Sequence, residues 1–288
     1  MLVEDCCQAL LAQILPTVGH SRSDYAIEIG CGTFAFYCEL FDKLSFPTIA
    51  VEPLPAKNLK KLCRRRNIPL VEACITEKNG TVNLYVGNYL GNENLNLSST
   101  CPNWWGATAT AKEVASITLK DLISMFSIER IGCLKIDIEG AEYSVLNQLS
   151  RLNLELLPKV IMFEYGGGGT FESQQGGWAK GFLQDTINIL SLLNNLGYGQ
   201  LIQIDSEKES KEKVFDLETI NLVASTLFSS QNVYGNMIAI HDNKSFPKDR
   251  IESICNNFRG DHLEIPPLKI SEPLSKRIAV EFRRLIYR

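Results

Sequence analysis

The chain has 288 residues, 45% apolar and 22% charged, with 29 basic against 33 acidic side chains and a net charge of −4. That length and composition suit one large α/β domain or two small ones, and exclude a disordered, collagen-like or highly basic chain. The acidic total also argues against a nucleic-acid partner, which needs a cationic surface. Nine cysteines, an odd number without a C-x-x-C pair, and only three histidines, at 20, 241 and 262, disfavour a disulfide framework or a zinc site. The thiols read as small apolar side chains in a reducing, cytoplasmic compartment. Glu4, Asp5, Gln8 and Gln13 interrupt the apolar start, so no signal peptide is expected. No apolar run reaches bilayer length, so no membrane partner is expected.

In chain order, a helical segment over 1–24 precedes alternating strands and helices over 25–242, and an extension over 243–288 is expected to pack on the core. Short runs rich in β-branched residues predict strands at Tyr25–Ile29, Thr48–Val51, Leu70–Ile75, Val82–Val86, Cys133–Ile138, Val160–Glu164, Leu201–Ile204 and Asn236–Ile240. Phe34, Tyr37, Leu40, Phe41 and Leu44 repeat at helical spacing. Leu59, Leu62 and Cys63 give a second helix, opened by Pro55 near its first turn. Thr118 and Asp121 form a capping pattern that starts a short helix. Ala141, Val145, Leu146 and Leu149 make another apolar stripe. The longest helix runs from about Trp178 to Leu196, with Gly197 as its C-terminal cap. Between these elements, Gly91–Ala111 reads as a long polar stretch, Glu207–Lys213 as a charged loop, and Lys276–Arg288 as an amphipathic basic helix.

Alternating strands and helices predict a mostly parallel sheet whose ligand site lies outside the carboxyl ends of its strands. Several predicted strands end there in carboxylates: Glu28, Glu52, Asp137, Glu139 and Glu164. The segment Glu28–Ala35 satisfies G-x-G-x-x-A between a strand and a helix, and Glu52 follows as an acid for ribose hydroxyls. These features fit either adenosine-bearing cofactor, a nicotinamide dinucleotide or S-adenosylmethionine. Glu28 discriminates between them, because a carboxylate beside the loop repels a pyrophosphate and suits an amino group or sulfonium. An NAD(P)-dependent oxidoreductase and a non-catalytic binding module stay as the alternative readings.

Glu28–Gly32, Val51-Glu52-Pro53, Ile117–Leu122, the run Leu134-Lys135-Ile136-Asp137-Ile138-Glu139-Gly140-Ala141-Glu142 and Val160–Glu164 together resemble FkbM-family methyltransferases over about residues 25–242. The resemblance implies a class I, Rossmann-like α/β fold. Such a fold has a mostly parallel seven-stranded sheet, helices on both faces and an antiparallel last strand. It also implies S-adenosyl-L-methionine as donor and O-methylation of a small-molecule natural product or sugar. The family's first loop commonly reads D-V-G-A-N-x-G; here Gly32 stands where Asn is usual and Phe34 where Gly is usual.

On this reading Glu28, Gly30, Cys31 and Gly32 form the donor loop. Glu52, followed by Pro53, accepts the ribose hydroxyls, and Glu72 and Ala73 border the adenine. Asp137 serves donor and acceptor, while Glu139 either joins it or caps the following helix. Asp137, Glu139, Glu164 and His241 are the candidate proton acceptors for a hydroxyl. The acidic cluster can offer oxygen ligands to Mg²⁺, although no spacing demands a metal. Gly166–Gly169 with Gly176-Gly177-Trp178 predicts a flexible acceptor lid, and Trp104 and Trp105 are expected to enclose the acceptor or pack on the core.

Overall fold

The computed structural model describes residues 1–18, 23–33, 35–89, 91–207, 210–241 and 245–259. Phe34, His20, His262 and the predicted helix at Lys276–Arg288 lie outside the described residues. The elements run α1 (Val3–Thr17), β1 (Tyr25–Ile29), α2 (Phe36–Lys43), β2 (Thr48–Val51), α3 (Lys57–Arg66), β3 (Leu70–Val71), β4 (Cys74–Ile75), β5 (Gly80–Tyr89) and β6 (Asn92–Glu93). They continue with β7 (Ala107–Ile117), α4 (Leu119–Met125), β8 (Ile131–Ile136), α5 (Glu142–Leu146), β9 (Val160–Gly166), α6 (Lys180–Asn195) and β10 (Tyr198–Asp205). The last are β11 (Lys213–Asp216), α7 (Ala224–Leu227), β12 (Tyr234–His241) and α8 (Lys248–Cys255).

The main sheet corrects the seven-strand expectation: it has 8 strands in the order β11-β10-β12-β9-β8-β1-β2-β3 and is mixed. From β3 to β9 the pairing is parallel, while β12 runs antiparallel to both β9 and β10. The extra strand is β11, an antiparallel edge on β10. A second, 4-stranded sheet, β4-β7-β5-β6, lies between β3 and α4 in the chain. The predicted strand Leu70–Ile75 is therefore two short ones in different sheets, and the strand around Val82–Val86 belongs to the second sheet. Strand β7 was not legible in the sequence. Its stretch Ala-Thr-Ala-Thr-Ala-Lys-Glu is exposed or half-buried and offers small side chains in place of an apolar alternation.

Period-two alternation sorts the main sheet onto two cores. Ile27, Ile29, Leu134, Ile136, Ile161 and Phe163 face one side, beneath α4, α5 and α6. Ala26, Cys133, Val160, Met162, Ile238 and Ile240 face the other, beneath α1, α2 and α8. Helix α1 buries Val3, Cys6, Cys7, Leu10, Leu11, Ile14 and Leu15, one face at helical spacing. Two sequence signals sit as predicted: the Thr118 hydroxyl accepts the Asp121 N–H at the start of α4, and Gly197 follows α6 at φ +89°. Helix α3 begins at Lys57, so Pro55 precedes its N-cap, Ala56. Among the described residues no helix is long and apolar enough to cross a membrane.

Candidate active site at the carboxyl edge

The loop after β1 is locked to its neighbours. The Gly30 N–H donates to the Val51 carbonyl and the Asp137 N–H to the Ile29 carbonyl, both at 3.0 Å. Gly30 lies at φ +80°, and a Cβ there would stand 1.7 Å from the Asp137 carbonyl oxygen, so the turn after β8 leaves room only for glycine. Gly32, at φ +56°, is also left-handed, and a Cβ on it would meet Asn96 Oδ1 at 2.7 Å. Asn96 thus fills the space over the position where the resembled pattern carries Asn. Cys31 is buried, with its thiol 4.0 Å from that of Cys38.

Glu52, at the end of β2, is held by two backbone donors. The Gly32 N–H reaches Oε2 at 2.9 Å and the Leu54 N–H reaches Oε1 at 3.0 Å. Each oxygen keeps a further lone pair for a ribose hydroxyl, so the donor set fits an adenosine diol. Glu28 takes a different position from the one expected of a residue facing ligand. It is buried under the loop, where Oε2 accepts the Cys38 N–H at 2.7 Å and satisfies one orphan donor at the start of α2. Burial raises its pKa, against the opposing pull of Lys135. Glu72 is exposed and paired with Lys60 at 2.8 Å, while Ala73 is buried in the crossing between the two sheets.

Strand β8 ends at Ile136, two residues earlier than predicted, so Asp137 and Glu139 sit in the turn that follows. The Lys135 ammonium, itself buried, lies 3.1 Å from Asp137, 4.0 Å from Glu28 and 5.1 Å from the Tyr37 ring centroid. Burial favours its neutral form, but Asp137, Glu28 and Glu4 outweigh that and hold the lysine charged. Glu139 adopts φ +59° and turns its side chain to accept the Trp104 indole N–H at 2.7 Å. Glu142, the first residue of α5, folds back instead onto the preceding turn, where its Oε1 accepts the Ile138 and Gly140 N–H groups. Burial pushes Glu142 up to about 7.

Glu164 on β9 completes the cluster: carboxylate oxygens of Asp137, Glu139 and Glu164 lie within 4.8 Å of one another. Burial, then the charge of Asp137, pushes both Glu139 and Glu164 well above the usual carboxylate range. Carboxylates this close are tolerated with a shared proton or with a hard cation on their oxygens. Glu164 also borders a cavity of about 20 Å³, lined by Trp104, Tyr143, Phe182 and Thr186 and large enough for one water.

His241 is not part of this cluster. Because β12 is antiparallel, its last residue lies at the opposite edge of the sheet, paired with Tyr198 at the start of β10. There its Nε2 lies 3.0 Å from the Leu196 carbonyl oxygen, and its N–H donates to the Lys159 carbonyl before β9. The same reversal brings the first residues of β12 to the site edge, where Asn236 pairs across from Glu164. Asn236 donates to Glu4 of α1 at 2.7 Å, and Glu4 also accepts the Tyr37 hydroxyl at 2.6 Å. Glu4, Tyr37, Asn96 and Asn236 carry no motif that would have marked them.

The glycine-rich segment after β9 is pinned rather than free. Gly167 donates to Val233, Gly177 to Gly167, and Phe171 to Asn232. Trp178 is a core residue, 1% exposed, with edge contacts to Tyr165, Phe171 and Phe228. Trp104 is buried against Phe182, whereas Trp105 stays 37% exposed over Gly168 and rims the site.

A family model described as the methyltransferase FkbM domain matches residues 27–199, more than half of the chain. No curated protein is detectably similar. Among solved structures, the plantazolicin methyltransferase BpumL in complex with SAH is similar at 10% identity. The alignment covers 82% of each chain with a TM-score of 0.35.

Proposed function

We infer the function from one premise: the chain belongs to the FkbM methyltransferase family. On that basis we read it as an S-adenosylmethionine-dependent O-methyltransferase of a small-molecule natural product or sugar hydroxyl, working in the cytoplasm. The observation that carries this reading is the carboxyl-edge arrangement: the left-handed glycine loop, the doubly anchored Glu52, and Asp137, Glu139 and Glu164 gathered within 4.8 Å. S-adenosylmethionine, when bound, supplies a methyl group activated on a sulfonium. Such a cation suits an edge rich in carboxylates and poor in phosphate-binding cations.

Glu52 would hold the ribose, and Asp137, fixed by Lys135, the amino end of the donor. Glu164, raised by burial and open to the cavity beside Trp104, is the residue we assign to take the acceptor's hydroxyl proton. To take that proton Glu164 must be ionised, a state that the donor's positive charge beside the three carboxylates would favour. Trp105 and the rim over Gly168 would border the acceptor. Calorimetric titration with S-adenosylmethionine, S-adenosylhomocysteine and NADH tests the donor, and an acceptor screen reading a mass gain of about 14 daltons tests turnover. NADH binding without either adenosyl compound would select the oxidoreductase reading. Donor binding with no methylated product across hydroxylated acceptors would select the binding module.

A further inference from the structure

Residues 94–106 leave the second sheet after β6 and return at β7 as a strap across the site. The strap is fastened to both turns that frame the donor loop. Asn96 Oδ1 accepts the Thr33 N–H at 2.9 Å. The Ser99 hydroxyl donates to the Glu139 carbonyl at 2.6 Å, and the Trp104 indole N–H reaches the Glu139 carboxylate. The Asn96 backbone is set by the Asn94 side chain, which accepts its N–H at 3.1 Å.

This fastening orients one amide. With Oδ1 committed to Thr33, Nδ2 is the remaining polar end of Asn96, and it has no partner among the described residues. The amide occupies the space over Gly32, next to the N–H that holds Glu52. Elsewhere this edge is furnished with carboxylates: Glu52, Asp137, Glu139 and Glu164. An anionic group bound there needs a donor, and Asn96 Nδ2 is a neutral donor already in place.

We propose that Asn96 is a donor-recognition residue whose Nδ2 hydrogen-bonds the carboxylate of the methyl donor's amino acid portion. The assignment rests on the S-adenosylmethionine reading above. The strap is then part of the donor pocket, in addition to its place beside the acceptor.

Titration of the full chain with S-adenosylhomocysteine, and with 5′-methylthioadenosine, which lacks the amino acid carboxylate, tests this. Asn96→Ala removes the amide. Asn96→Asp keeps an acceptor for the Thr33 N–H, and so the strap's anchorage, while it replaces the amide donor by a negative charge. Both variants are expected to weaken S-adenosylhomocysteine by about tenfold or more, as for a lost hydrogen bond to a charged group. Binding of 5′-methylthioadenosine should stay within about twofold of wild type, because no contact to it is removed. Unchanged S-adenosylhomocysteine affinity in either variant, or parallel loss of both ligands, overturns the proposal. A wild-type chain that binds neither ligand overturns the donor reading itself, and this assignment with it.

Discussion

Lys135→Met removes the one ammonium in a buried row that also holds Glu28, Asp137 and, through the Tyr37 ring, Glu4. The methionine keeps the length of the aliphatic stem, so packing changes little and the charge is the main loss. At an effective dielectric of about 20, a unit pair 4 Å apart is worth roughly 4 kcal/mol before desolvation. Removing one partner of a buried pair costs about 3–5 kcal/mol, because the remaining charge keeps its desolvation penalty. For a chain of this size that lowers Tm by roughly 10 °C. The deficit has a definite pH dependence. Glu28 is already raised by burial and loses the cation that opposed the rise, so its folded pKa moves further up. An acid raised in the folded state contributes stability below its unfolded value, about 4.3, and loses it as pH rises through the folded value. Urea unfolding followed by circular dichroism should therefore show a small deficit at pH 5 and the full one at pH 8. A deficit under about 1 kcal/mol, or one equal at both pH values, would refute the ion-pair account.

Five further outcomes are expected. Glu52→Ala should weaken S-adenosylhomocysteine by about 100-fold, from two lost charge-assisted bonds and a loosened loop; unchanged affinity would sink the ribose assignment. Glu142, pushed up to about 7, makes the protein lose on the order of 3 kcal/mol of stability as pH rises from 5 to 8. Glu142→Gln should flatten that part of the profile, and an unaltered slope in urea melts would reject it. Glu164→Gln should lower kcat by about 10²-fold or more with little change in donor affinity, and a variant near wild-type kcat excludes Glu164 as the proton acceptor. Trp178→Ala should destabilise by about 3–5 kcal/mol, since its ring is a core element, whereas Trp105→Ala should raise the acceptor KM more than the donor KM. A stable Trp178→Ala protein, or an unchanged acceptor KM for Trp105→Ala, would contradict these placements.

Several parts of the site follow from short-range pattern. Gly30 and Gly32 were legible because a strand-to-helix turn needs glycines at left-handed positions, and both have positive φ. Glu52, Asp137 and Glu164 were legible as acids at the ends of β-branched runs. The direction of each acid was not. Glu28 caps α2 from below the loop, and Glu139, at φ +59°, turns its side chain to Trp104 while Glu142 closes the turn before α5. Trp178 looked like part of a lid because glycines surround it, yet its indole N–H bonds the Val233 carbonyl and its ring fills the core.

By itself, then, the sequence determined an α/β sheet with a glycine loop and a line of acids, since periodicity and turn chemistry act over a few residues. Strand direction and long-range contact were decided by the tertiary structure. The antiparallel run of β12 sends His241 away from the site and brings Asn236 to it. Contacts spanning 63 residues from Asn96 to Thr33, 35 from Trp104 to Glu139 and 232 from Asn236 to Glu4 close the pocket. Such pairs are set by which surfaces meet when two sheets and a terminal helix pack together, and local pattern carries no record of that meeting.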